Sequence, residues 1–243
     1  MTEALFRTDA YLNETTARVV SSGPEGVVLD RSVFYPRAGG QPGDSGTLLW
    51  PGGEAAVIEA LKGEGEAILH RLADGAPLAA PLPAPGTEVT ARLDWKRRHR
   101  HMRMHSSLHL LCSLIPGAGV TGGQIGADKS RLDFDLAEPP TKEWLTERLN
   151  ALIAANHPIT ERWISEAELD ANPGLVRTLS VQPPRGTGRI RLVRIGPEDA
   201  PVDVQPCGGT HVRATGDIGR VEVLKLENKG RQNRRISLAL VEG

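Results

Sequence analysis

The sequence predicts an α+β protein in two parts: a small β-barrel-like domain with a glycine-rich loop over residues 1–95, and an α+β domain over residues 96–243. Three observations carry that division. The first part is filled by short apolar and β-branched runs broken by Gly/Pro turn signals. From Lys96 the pattern changes to a stretch ending RRHRHMRMHSSLHLLCSLI, rich in helix formers and free of Gly and Pro until Pro116. The charge changes at the same place: residues 1–95 hold 7 Lys+Arg against 13 Asp+Glu, and residues 96–243 hold 22 against 17.

In chain order, the apolar pair Val19-Val20, VVLD (27–30), SVFY (32–35) and TLLW (47–50) are expected strands of the first part. Between the last two lies PRAGGQPGDSG (36–46), with four glycines and two prolines. Such a loop is either hairpin punctuation or a place where backbone approaches a ligand closely. It matches neither dinucleotide nor Walker phosphate fingerprint. The stretch 74–88, with four prolines, reads as an extended loop leading to a strand, VTARLDW (89–95). A helix of about five turns follows. RLDFDL (131–136) alternates as a strand, and residues 141–156 place Trp144, Leu145, Leu149, Leu152 and Ile153 at helical spacing over a sheet. GRIRLVRI (188–195) reads as a strand, and 219–242 as a basic hairpin turning at NKGRQN. The second part is therefore expected to be α+β.

At 243 residues, net charge −1 and 24% charged residues, the chain has the composition of a globular protein. Its length suits one large domain or two small ones and falls short of a multi-domain synthetase or polymerase. The N-terminal MTEALFRTDAYLNETT lacks a basic segment followed by an apolar one, and no run approaches the ~20 apolar residues that span a bilayer. Neither secretion nor membrane association is expected. Cys112 and Cys207, far apart, point to a reducing, cytoplasmic compartment and leave either thiol available for metal or chemistry. Positive charge gathers at Lys96, Arg97, Arg98, Arg100 and Arg103, and again at Arg220, Lys225, Lys229, Arg231, Arg234 and Arg235. These clusters are either solvated faces or a footprint for phosphates.

His101, His105 and His109 recur every fourth residue, so a helix places all three imidazoles on one face. QPCGGTHV supplies Cys207 and His211 on a glycine-containing turn, a C-x-x-x-H whose side chains can converge on one ion. Together the two segments hold four of the seven histidines and one of the two cysteines. A mixed imidazole and thiolate set suits zinc. The competing reading is a core Cys207 among unrelated surface histidines.

His105-Ser-Ser-Leu-His109-Leu-Leu paired with Cys207-Gly-Gly-Thr-His211, and Gly39-Gly40-Gln41-Pro42-Gly43-Asp44 in a preceding β domain, resemble the AlaX family, freestanding relatives of the alanyl-tRNA synthetase editing domain. The resemblance spans essentially the whole chain and is to the medium-sized class. It implies that His105, His109, Cys207 and His211 bind Zn2+, with His101 outside the ligand set. It also implies hydrolysis of the ester joining a wrong amino acid to the 3′ end of tRNA(Ala), with cytoplasmic translation fidelity as the role.

A pocket built for alanine cannot strongly reject glycine, because one missing methylene is worth only ~1–3 kcal/mol, and it excludes the added hydroxyl of serine poorly. A second, hydrolytic site answers that problem, and there a polar group that pairs the serine hydroxyl spares alanine. Thr121, in VTGGQIG after the histidine helix, is the candidate, the alternative being a turn threonine. Four protein ligands describe a closed zinc site, so catalysis needs a labile ligand or a fifth position. Zinc then polarises the carbonyl and activates water. Asp203 and Gln205 are candidates to orient water or the substrate amine, although Asp203 can equally be a surface acid.

On the tRNA reading, Arg97, Arg98, Arg100, Lys229, Arg231, Arg234 and Arg235 are expected to meet phosphates of the acceptor end, an A-form duplex read mainly by shape. Gly39, Gly40 and Gln41 are expected at the substrate by resemblance. Two other readings stand beside this one: an aminoacyl-ester hydrolase for another tRNA, and a non-enzymatic RNA-binding module with structural zinc. Serine versus glycine preference and oligomeric state are left open.

Overall fold

The computed structural model describes residues 1–73, 81–179, 182–183, 185–186 and 188–241. Of the proline-rich loop expected over 74–88, residues 74–80 lie outside the described residues, as does Glu242 at the end of the basic hairpin. The chain divides into two compact units, Met1–His99 and Arg100–Gly243.

The first unit contains β1 (Glu3–Ala4), β2 (Glu14–Gly23), β3 (Gly26–Leu29), β4 (Arg31–Ser32), β5 (Gly46–Trp50), β6 (Gly53–Lys62), β7 (Ile68–Leu72) and β8 (Glu88–Leu93), and the start of helix α1 (Trp95–Ser113). Six strands close a barrel in the order β2-β3-β7-β6-β5-β8, which removes the free edges an open sheet would present. Alternation sends Ala17, Val19, Leu48, Val57, Val89 and Ala91 into the core. Two β-bulges break that alternation. The register steps from Val19 to Ser21 and from Val57 to Glu59, so Val20 and Ile58 are the extra residues and both face solvent.

The expected strand SVFY pairs only through Ser32. Val33, Phe34 and Tyr35 are buried without a ladder; the Tyr35 N–H donates to Asp44 Oδ2 at 2.6 Å instead. Their apolar character serves the core rather than a sheet. β6 and β7 were not expected, because EAAVIEALK is made largely of helix formers and barrel pairing overrides that preference. His70 of β7 is fully buried, with Nε2 2.8 Å from Ser32 Oγ and Nδ1 3.0 Å from the Val27 carbonyl. Burial pushes its pKa down to about 4.

The glycine-rich loop turns at Ala38-Gly39-Gly40-Gln41, where reciprocal backbone hydrogen bonds join Ala38 and Gln41. Gly39 and Gly40 have φ of 55° and 81°, the left-handed pair a tight turn of this hand requires. A Cβ on Gly43 would stand 2.0 Å from the Ala60 carbonyl oxygen, so only glycine lets the loop lie against β6.

The second unit holds the rest of α1, then β9 (Gly119–Gln124), β10 (Ser130–Asp135), α2 (Lys142–Ala154), β11 (Ile159–Ser165), α3 (Glu166–Asp170), β12 (Arg189–Ile195), β13 (Asp203–Pro206), β14 (Val221–Asn228) and β15 (Asn233–Leu240). One sheet runs β14-β15-β10-β9 and another β11-β12-β13. α2 starts at Thr141, whose hydroxyl caps the Trp144 N–H, and buries Leu145, Leu149 and Ile153. Its polar side chains grip the β14 edge: Asn150 bonds both the N–H and the carbonyl of Val221, and Thr146 Oγ1 accepts from the Val223 N–H. At the opposite edge, Val120 of β9 exchanges backbone hydrogen bonds with Arg177 and Leu179. Among the described residues no helix is long and apolar enough to cross a membrane.

Candidate metal centre

Four residues from two separate segments meet in the second unit. α1 carries His105 and His109 one turn apart, and its segment from His101 to Cys112 is almost wholly buried. The turn after β13 brings Cys207 and His211 back to that helix face. One donor atom from each of His105, His109, Cys207 and His211 lies within 4.8 Å of all the others, a group that could hold a metal ion. Cys207 Sγ stands 3.5 Å from His105 Nε2 and 3.3 Å from His211 Nε2. His101, also buried, lies outside this group.

The nitrogens turned away from the cluster are held in place. His109 Nδ1 donates to Asp203 Oδ2 at 2.9 Å, and the Gln205 amide donates to the same oxygen at 2.8 Å. His211 Nδ1 is 3.1 Å from Ser106 Oγ. Such outer contacts fix the tautomer and aim Nε2 at the shared centre. Arg191 of β12 clamps the turn itself: its Nη1 donates to the carbonyls of Cys207 (2.8 Å) and Gly209 (2.9 Å), and its Nε to Glu161 at 2.6 Å.

The electrostatics favour a cation at the centre. Burial pushes the Cys207 thiol up, but the imidazoles of His105 and His211 outweigh it and hold the thiol well below its ordinary value. Burial opposes charge on His109, yet its bonds to Asp203 and Cys207 raise it to about 10. His211 lies well below the usual imidazole value, through burial first and then the charge of His105. Thiolate and carboxylate together thus favour positive charge at His109, and they would favour a metal ion there in the same way.

Asp203 is not a surface acid. It is 2% exposed on β13, and its Oδ1 is a buried oxygen without a hydrogen-bond partner among the described residues. Thr121 is not in a turn. Pairing steps from Asp133–Gly122 to Phe134–Val120, which makes Thr121 the extra residue of a bulge in β9, with its hydroxyl donating to Asn233 Oδ1 at 3.3 Å. Gly39 and Gly40 are exposed at the loop tip, whereas Gln41 is fully buried, so its side chain serves the loop's interior.

The basic residues divide sharply. Arg98 is fully buried, ion-paired with Asp44 and bonded to the carbonyls of Ala10 and Val33, so its guanidinium is not a phosphate contact. Arg235 forms a bidentate pair with Asp133, which Arg131 shares, and Arg100 bonds Asp128 and the Ala127 carbonyl. Arg234 ties the hairpin turn through the Gly230 and Arg231 carbonyls, while Lys229 and Arg231 are exposed at its tip. Arg97 is half-buried beside the Gly43 carbonyl.

Sequence reasoning missed Ser106 and Arg191. Ser106 carried no signal beyond its place beside His105. Arg191 belongs to an alternating strand, GRIRLVRI, and its inward position at 7% exposure marks a charge buried for a purpose.

Residues 190–237 match the family model described as the second additional domain of threonyl and alanyl tRNA synthetases, and residues 4–97 match that of class II (A) tRNA synthetases. The chain is 38% identical to an alanyl-tRNA editing protein AlaX-M of Methanosarcina mazei, over 100% of this chain and 98% of that protein. It is 33% identical to an AlaX-M of Saccharolobus solfataricus over 97% of this chain and 98% of that protein. It is also 38% identical to an alanine-tRNA ligase of Pyrobaculum neutrophilum, over 93% of this chain but 25% of that longer enzyme.

Proposed function

The chain belongs to the AlaX family of alanyl-tRNA editing proteins, and on that premise we propose a zinc-dependent hydrolase that removes serine, and glycine, from the acceptor end of mischarged tRNA(Ala). The observation that carries this reading is the convergence of His105, His109, Cys207 and His211 in a chain alike over its full length to editing proteins.

The donor set fits zinc. Bond lengths of about 2.3 Å to sulfur and 2.0–2.1 Å to nitrogen put the donors of a tetrahedral site about 3.3–3.6 Å apart. The sulfur-to-nitrogen separations of 3.5 and 3.3 Å are close to the tetrahedral spacing, and all four donors lie within 4.8 Å of one another. When bound, zinc supplies a Lewis acid for the ester carbonyl and lowers the pKa of water towards ~7. His105, His109, Cys207 and His211 would hold it; Asp203 and Ser106 orient His109 and His211; Arg191 keeps the Cys207 turn in register. Gln205, whose amide is engaged by Asp203, acts through that pair rather than by orienting water or the substrate amine directly.

Thr121 is the residue we assign to recognition of serine. Its hydroxyl donates to Asn233 Oδ1 at 3.3 Å, on the strand that follows the basic turn. Gly39 and Gly40 offer bare backbone to the acceptor end, and Lys229, which also pairs with Glu227, and Arg231 offer exposed charge to its phosphates. The deciding experiment is deacylation of Ser-, Gly- and Ala-tRNA(Ala), and of Ser-tRNA(Thr), by the purified protein. Release of serine from tRNA(Ala) with Ala-tRNA(Ala) spared supports the reading; preference for tRNA(Thr) would assign the site to another tRNA, and binding without hydrolysis of any would make it an RNA-binding module.

A further inference from the structure

In the first unit, Glu59 accepts from three directions. Arg37 Nε donates to its Oε1 at 2.8 Å and Arg37 Nη2 to its Oε2; Arg71 Nη2 stands 3.6 Å from the same Oε2; and the Gly43 N–H donates to Oε1 at 3.3 Å. Arg97 reaches the same loop residue, its Nη2 3.5 Å from the Gly43 carbonyl. Three guanidiniums therefore gather around the root of the Gly39-Gly40 tip.

The other ion pairs described in this unit are one-to-one: Arg18 with Glu88, Arg31 with Glu3, Arg92 with Glu14, and Arg98 with Asp44. Glu59 alone among them is shared by two arginines. The remaining acids near Arg97 are committed: Asp44 to Arg98, and Asp94 Oδ1 to the Arg97 backbone N–H. Arg97 forms no ion pair among the described residues, and its Nε is buried without an acceptor. The result is a local surplus of positive charge in a part of the chain that is acidic as a whole, 7 Lys+Arg against 13 Asp+Glu over residues 1–95.

That placement is selective. An acidic domain repels a polyanion everywhere except where its charge is locally reversed. Arg37 and Arg71 keep 60% and 44% of their side-chain surface exposed, and a buried, fixed Glu59 pre-orients their forks. The open space over Gly39 lets a bulky group come down on the turn.

We propose that Arg37, Arg71 and Arg97 form a phosphodiester-binding site on the first unit, which takes an RNA backbone phosphate against the bare Gly39-Gly40 turn. The site rests on the reading that the substrate is a charged tRNA, and adds to it a second phosphate foothold apart from the basic hairpin.

The test measures binding of uncharged tRNA(Ala) across a salt series and, in parallel, deacylation kinetics. Each lost phosphate contact should flatten the slope of log K against log salt by about 0.7–0.9. The double variant Arg37→Gln/Arg71→Gln should therefore lose about 1.5 from the slope and raise KM for charged tRNA at least tenfold, with kcat and metal content unchanged. The double lysine variant should restore most of the slope, and Arg18→Gln, taken from a one-to-one pair, should leave it as in the parent. A slope unchanged in the double glutamine variant, or reduced equally by Arg18→Gln, overturns the site. Because uncharged RNA is used, this result is independent of whether the protein deacylates any substrate.

Discussion

Arg98 and Asp44 form an ion pair in which neither side chain has any solvent exposure. The guanidinium also satisfies the carbonyls of Ala10 and Val33, and the carboxylate also accepts from the Tyr35 N–H. One pair thus ties the glycine-rich loop to the first turn of α1. Arg98→Met should destabilise the protein by about 3–5 kcal/mol, since it strands a buried carboxylate. Arg98→Met with Asp44→Leu should recover part of that loss. Urea unfolding checks both; a cost under about 1 kcal/mol for the single variant contradicts the pair's role.

The metal site predicts about one zinc per chain by elemental analysis. Cys207→Ala and His109→Ala should each lose metal and deacylation together, while Asp203→Asn should keep the fold and weaken zinc binding by about 10–100-fold. Stoichiometric zinc with unchanged activity in both ligand variants would remove the assignment.

Thr121→Val keeps the side-chain shape and deletes the hydroxyl proposed to pair with that of serine. Ser-tRNA(Ala) hydrolysis should fall by about 1–3 kcal/mol in kcat/KM, with Gly-tRNA(Ala) barely changed and Ala-tRNA(Ala) gaining relative to serine. Equal loss on serine and glycine would mean that the bulge, rather than the hydroxyl, matters.

His70 predicts a pH dependence of barrel stability. Its folded pKa, near 4, lies below the ordinary 6.5, so the unfolded chain binds the proton more readily. The stability it contributes is complete above about pH 6.5 and is lost as pH falls towards 4, by about 3 kcal/mol in all. His70→Asn should flatten the decline in melting temperature between those limits; an identical decline in variant and parent shows that other groups carry it.

The convergence of His105, His109, Cys207 and His211 was legible because the first two share one helix period and the other two one short turn. α1, β10, β12, α2 and the basic hairpin were legible for the same reason: their patterns are local. The rest depended on partners distant in the sequence. β6 resembles a helix until β5 and β7 pair with it, and the role of Arg98 depends on Asp44, which arrives from another segment. Bulges hid more. Val20, Ile58, Thr121 and Leu224 each stand where a register step inserts one residue, which shifts the pairing of every residue that follows.

The sheet β14-β15-β10-β9 is closed at both margins by side chains and loop rather than by further strands. Asn150 and Thr146 occupy the β14 backbone, and Arg177 and Leu179 occupy β9 at Val120. A second copy therefore finds those hydrogen-bonding groups taken, and runaway stacking of one molecule on the next is blocked there. Asn150→Ala would free the N–H and carbonyl of Val221, so this asparagine caps an exposed ladder position as well as holding a helix to its sheet.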